Sequence, residues 1–182
     1  MSELSPNPFQ GLVTWVAMAE GDLTALFPVG LADPAALLLQ AATSVVALFA
    51  LGWMCVLVHE LGHVVAAVAV GASVCQVSLG AGPVLWRSVR LQVRAFPWDG
   101  HVDAERPASE AKRVVFYLAG AVGNLAFAAL VFAISTVTCL PGFWGVVCCV
   151  AHGMVGIASL LPLSPGMDGW QIACILREGF RR

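Results

Sequence analysis

Charge is what this sequence has least of. Nine lysines and arginines and 11 aspartates and glutamates make 11% of 182 residues, against roughly 25% in an average soluble domain. With 59% apolar side chains and a mean hydropathy of +0.87, too little polar surface remains to wrap a water-soluble globule of this size. The net charge is -2 and no basic stripe interleaves with aromatics, so the electrostatic footprint of a nucleic-acid binder is absent. Six cysteines do not make a disulfide framework, because Cys55, Cys148, Cys149 and Cys174 lie in apolar runs where a thiol acts as a small hydrophobe. The first 34 residues contain no lysine or arginine, which removes the positive n-region of a cleavable signal peptide. These absences leave a membrane protein of one domain and a few helices.

Long apolar runs are what is present. From residue 35 to 71 the only ionisable groups besides the Cys55 thiol are His59, Glu60 and His63, which predicts a first span over about 45–70. A charge-free run after Arg113 predicts a second span over 114–139, and another predicts a third over 143–163. Pro141-Gly142 forms a tight turn that makes the last two an antiparallel pair. Between the first and second spans, short β-prone pieces cut by glycine and proline predict a β-hairpin over about 73–102. A short helix over 169–178 follows the last span. Residues 1–34 read as an acidic extracytoplasmic or interfacial segment, in which Trp15, Val16, Leu23, Leu26 and Phe27 form an amphipathic helix; residues 35–182 are the membrane core. All nine basic residues fall in the 87–113 loop and at 177–182, so those regions are cytoplasmic and the N-terminus is outside. Three spans satisfy that parity. The expectation is a multi-pass protein of the plasma or inner membrane.

His59-Glu60-Leu61-Gly62-His63 is an H-E-x-x-H sequence that chance would supply about 0.003 times from this composition. Residues four apart on an α-helix differ by about 40° of rotation and 6 Å of rise, so both imidazoles point at one locus, as two zinc ligands do. Glu60 reaches the open coordination position, where it can take a proton from the water that the metal activates. Polar residues that merely hold helices together would be costly at that depth. A third protein ligand must come from another segment, and Asp168 is the candidate, because acidic residues are almost absent outside the loop and termini. Prolines 162 and 165 and glycines 166 and 169 interrupt the helix there, which places Asp168 on an unwound stretch. The competing reading is that Asp168 caps the helix after it. His152, mid-span with no motif around it, reads as a helix-packing residue, and His101, between Asp99 and Asp103, as a solvated one.

The ordered set of motifs resembles the site-2 proteases, the intramembrane zinc metalloproteases, over about residues 45–177. His59 to His63 lies within a span, Ala119-Gly120-Ala121-Val122-Gly123-Asn124 is similar to the family's A-G-P-x-x-N segment, and Pro162 to Gly169 is similar to its N-x-x-P-x-x-x-L-D-G region. Leu79 to Pro83 with Phe96 to Gly100 resembles its G-x-G-P…I-P-L-G-G hairpin. Three departures stand out: Ser159 replaces an asparagine, Gly166 is an insertion and Ala121 replaces a proline. The resemblance implies zinc held by His59, His63 and Asp168, with Glu60 as catalytic base. It further implies that Asn124 faces the site, with Gly120 and Ser159 as site support, and that the hairpin enters the membrane beside the substrate. Asn124 reads equally as an interhelical hydrogen-bonding residue.

The fold class expected is therefore an all-α polytopic membrane protein, with a three-span site-2-protease-like core and a short membrane-associated β-hairpin. The function expected is zinc-dependent hydrolysis of peptide bonds in or near the bilayer, in regulated intramembrane proteolysis. Its partners would be the lipid bilayer, a single-span membrane protein as substrate, and a regulatory membrane partner or further copies of the chain, without nucleic acid. The rival is a non-catalytic membrane scaffold or assembly subunit built on the protease fold; retention of all four chemical residues weighs against it.

Overall fold

A computed structural model describes residues 34–138 and 142–180. The elements are helix α1 (Pro34–Ala69), strands β1 (Val74–Arg87) and β2 (Leu91–Ala104), and helices α2 (Glu110–Thr138), α3 (Phe143–Ser159) and α4 (Asp168–Gly179). The amphipathic helix expected before residue 34, the Pro141 half of the turn, and Arg181 and Arg182 lie outside the described residues.

Helix α1 begins at Pro34, so the span expected over about 45–70 is the later part of a longer helix. No charged residue or glycine stands between 35 and 45 to stop it, and proline suits a first helical position, where its missing N–H is not needed. Its 36 residues are about 54 Å long, enough to cross about 30 Å of hydrocarbon. The core helix of a soluble protein is mostly covered, yet only 6% of the apolar window within Leu37–Ala69 is buried. Leu38, Val46 and Val68 face outward, which in water would be costly and in lipid is not. The helix ends at Gly71, whose φ of 78° is left-handed and closes a cap in which Ala72 N–H donates to Ala67 O (2.8 Å). Lys112 Nζ donates to the carbonyl of Val70 (2.8 Å) at the same end.

Helix α2 is the second element long and apolar enough to span. Helix α3 is not: it has 17 residues and stops at Ser159, short of the expected 163 and of the roughly 20 residues a span requires. Tight turns from Leu160 and Leu161 back to Ile157 and Ala158 end it, and Pro162 and Pro165, lacking N–H groups, prevent its continuation. Among the described residues, length and composition thus mark two helices able to span a membrane, in a mostly helical protein with one small sheet.

The two strands are antiparallel, but the hairpin is doubled back on itself. Residues 77–79 pair with 100–102 on one side and 91–93 on the other, while 84–87 pair with 92–94. Two strands therefore make four rows, with 84–87 and 100–104 as the outer ones. The fold is possible because β1 bends at Gly80 and Gly82, both at left-handed φ (84° and 80°), where the ring atoms of Trp53 and Phe96 leave no room for a side chain. Val102 of the outer row 100–104 packs with Ala67 and Phe116 in the buried cluster that fastens the sheet to α1 and α2.

Helices α1 and α2 touch backbone to backbone. A methyl group at Gly62 would run into the carbonyl of Ala119, and one at Gly123 would stand 3.1 Å from the carbonyl of Val58. Gly62→Ala should lower stability by about 1–3 kcal/mol by forcing the helices apart. Gly153→Ala, whose methyl meets nothing within 4 Å, should raise it by up to about 1 kcal/mol through helix propensity. Unfolding in detergent, followed by helical circular dichroism, checks both; equal effects would remove the packing argument.

Candidate metal centre

The close approach of α1 and α2 shapes the space into which the two imidazoles project. His59 and His63, one turn apart on α1, bring their Nε2 atoms to 3.2 Å of each other. Asp168 Oδ2 stands 3.0 Å from His59 Nε2 and 3.3 Å from His63 Nε2. All three donor atoms lie within 4.8 Å of one another, and the residues are buried or half-buried. Two imidazole nitrogens and one carboxylate oxygen are the donor set of a catalytic zinc site with one position left open.

Asp168 does not sit on an unwound stretch, as the sequence led one to expect. It is the first residue of α4, whose N-cap is Met167. The helix begins this early because Gly169 lies directly against the carbonyl of Leu160, a contact that any side chain would block. The interrupted segment ends at Met167 and delivers the carboxylate on the first turn of a regular helix.

Each imidazole is held at its far side. His63 Nδ1–H donates to the carbonyl of Phe116 (2.8 Å), which directs the Nε2 lone pair towards Asp168 and His59. His59 Nδ1 is 3.3 Å from the amide nitrogen of Asn124, and the amide oxygen is 2.7 Å from Nδ1 of His152. Asn124 and His152 are both fully buried. Gly120 forms the floor: a methyl group there would stand 2.5 Å from the Nε2 atoms of both His59 and His63.

Glu60 is 4% exposed, and its Oε2 has no hydrogen-bond partner among the described residues. The backbone of Gly100 in β2 covers its carboxyl group so closely that a side chain at 100 would collide with it. Glu60, His59, His63 and Asp168 line one cavity of about 860 Å³. Residues 100–105 of the outer sheet row form another wall, and Arg106, Arg113 and Glu178 stand among the lining residues. A carboxylate without a partner beside three convergent donors can take and return a proton at whatever occupies that space.

The other residues singled out from the sequence fall as follows. Ser159 lines the cavity, but its hydroxyl donates to Gly156 O in its own helix (3.0 Å). Asn124 touches His59 and, in the same arrangement, joins α2 to α3. His101 lines the cavity mouth. His152 is the residue that sequence reasoning set aside: no motif marks it, and the only available signal was a second polar side chain in the helix expected to pair with the one carrying Asn124. The described cysteines are all free.

Compared with known families, the chain matches Peptidase family M50 over residues 46–152, more than half of its length. That range contains His59, Glu60, His63, Gly120, Asn124 and His152 and stops before Ser159 and Asp168. The chain is 37% identical over 105 residues to a protein of Nostoc sp. (strain PCC 7120) named "Putative zinc metalloprotease", covering 47% of this chain and 29% of that one. It is 36% identical over 118 residues to a protein of Chlamydia trachomatis serovar D with the same descriptive name, covering 50% of this chain and 19% of the other. The aligned part is thus less than a third of either relative's length.

Gly120→Ala should weaken the binding of added zinc about 10-fold or more, since its methyl enters the space between the two imidazoles. Competition with a chromophoric chelator in detergent measures this. Wild-type affinity in the variant would show that the floor does not shape the centre.

Proposed function

The chain belongs to peptidase family M50, and on that basis we propose that it is a zinc metallopeptidase of the site-2 protease type, hydrolysing peptide bonds of membrane-spanning substrates in or near the bilayer. The observation that carries this reading is the convergence of His59, His63 and Asp168 beside a buried, unpartnered Glu60. The donor set fits the metal: three ligands of the right chemistry, two of them with their outer nitrogens already engaged. His59, His63 and Asp168 would hold the zinc. When bound, zinc supplies Lewis acidity, making water nucleophilic near neutral pH and polarising a carbonyl.

Glu60 then has the acid–base part. Its carboxylate accepts the proton of the attacking water and returns it to the leaving amine, so that one group serves both steps. Because Gly100 shields it on one side, the proton has one open direction, towards the cavity. The charged end of the cavity, near Arg106 and Arg113, is the entry we assign to water. In our reading the same side is cytoplasmic, because the basic residues gather there.

A substrate helix keeps its carbonyls in its own hydrogen bonds and must unwind before attack. The outer row 100–104 pairs only with β1 and lines the cavity with its other side, so an extended substrate segment can add to it as a strand and reach the zinc site. The substrate class is thus a membrane segment able to become extended. In this reading the chain is an integral component of the cell membrane, with the region around residues 87–113 and the C-terminus in the cytoplasm.

Glu60→Gln should retain about one zinc per chain and lose cleavage by at least about 100-fold, whereas His63→Ala should lose most of its zinc because two protein ligands seldom hold it tightly. Elemental analysis with a single-span substrate assay distinguishes the two. Full zinc in His63→Ala would refute the ligand set, and unchanged cleavage by Glu60→Gln would refute the base. A cysteine at Ser88 should react with an impermeant thiol reagent only from the cytoplasmic side; labelling only from outside would invert the orientation.

A further inference from the structure

Asn124 lies between two imidazoles, and its amide can be read in two directions. As drawn in the structure, the amide nitrogen faces His59 Nδ1 and the amide oxygen faces His152 Nδ1. Hydrogen-bond chemistry fixes the protons in this arrangement: Asn124 donates to His59 Nδ1, and His152 Nδ1–H donates to Asn124. Neutral His59 then carries its proton on Nε2 and donates it to Asp168 Oδ2 at 3.0 Å. A nitrogen bearing that proton has no lone pair for a metal.

Turning the amide by 180° leaves the shape of Asn124 unchanged and reverses every bond, since its oxygen and nitrogen exchange places. His59 Nδ1–H now donates to the amide oxygen, and the Nε2 lone pair is free. The amide nitrogen must then donate to His152, which accepts at Nδ1 and carries its own proton on Nε2. Each ring keeps one proton in both arrangements, so nothing is gained or lost in net charge. The reversal depends on residue 152 being able both to donate and to accept at the same atom, which neutral histidine does by exchanging tautomers. Phe127, with its ring centroid 4.5 Å from that of His152, fixes the plane in which this happens.

Resting on the assignment of His59 as a zinc ligand, we infer that His152 is a positioning residue for the metal centre. By accepting the Asn124 amide hydrogen it gives the asparagine a partner in the turned orientation, the one that keeps His59 Nε2 free for zinc. His152 does not touch the metal or the substrate. Its complete burial and the 2.7 Å contact with Asn124 agree with a group whose Nδ1 serves that amide in either direction.

The test uses the full chain in detergent and measures zinc affinity by chelator competition. His152→Leu should bind zinc 10- to 100-fold more weakly, as loss of a residue supporting a ligand does. His152→Asn, whose amide can also donate or accept near the Nδ1 position, should stay within about 3-fold of wild type. If Asn124 and His152 act as one unit, the double variant Asn124→Leu/His152→Leu should be no weaker than Asn124→Leu alone. In the cobalt-substituted protein, the exchangeable proton resonance of His59 Nδ1–H should be present in wild type and His152→Asn, and lost to solvent exchange in His152→Leu. Wild-type zinc affinity in a His152→Leu protein of normal helicity, a fully additive double variant, or failure of His152→Asn to bind zinc would each overturn the inference. His63→Ala serves as the separate control: if it still binds zinc fully, the ligand assignment has failed, whatever His152 does.

Discussion

The backbone contact between α1 and α2 is the constraint on which the rest depends. Gly62 and Gly123 let one helix approach the other to the distance of a peptide group, and Gly120 leaves the resulting space open for two rings. Only at that distance can the carbonyl of Phe116, inside a regular helix, also accept the Nδ1 proton of His63. The glycines thus act on orientation as much as on packing. In a bilayer, where no hydrophobic force drives helices together, van der Waals contact of this kind is a principal source of association. The same residues that hold the pair together therefore aim its side chains.

The third donor arrives by a different route. Helix α3 packs on α2, then stops early at a proline-rich segment that reverses the chain and starts α4 with Asp168 pointing back at α1. The far end of this arrangement is tied as well: Arg113 near the start of α2 lies 3.8 Å from Glu178 near the end of α4. This pair is partly exposed, so its contribution is small, but it constrains the rotation of α4 about its own axis. Asp168 is consequently placed by two contacts at opposite ends of a 12-residue helix, the Gly169–Leu160 approach and the Arg113 pair.

Much of this was legible in the sequence, and the parts that were not have physical reasons. Spacing alone puts His59 and His63 on one face, because the helical period leaves no other choice. The hairpin was legible from its glycines and prolines, but its doubling was not, since pairing of 77–79 on both sides follows from tertiary closure onto α1 and α2. The helix expected within 35–71 is there, but α1 runs well beyond the span expected over 45–70, because a uniform apolar stretch carries no boundary signal. The start of α4 was misjudged for the opposite reason: four helix-breaking residues stand together, and only the packing of Gly169 against Leu160 shows where the break ends. Asn124 was seen as either catalytic or adhesive. The structure gives it one position that touches His59 and joins α2 to α3, and its partner there, His152, is 28 residues away with nothing in its neighbourhood to flag it.

His59 and Asp168 are separated by 109 positions. Both histidines and the glutamate come from α1, whereas the third donor comes from α4. Until that last helix docks, the centre has two ligands and an open side, too few to retain zinc firmly.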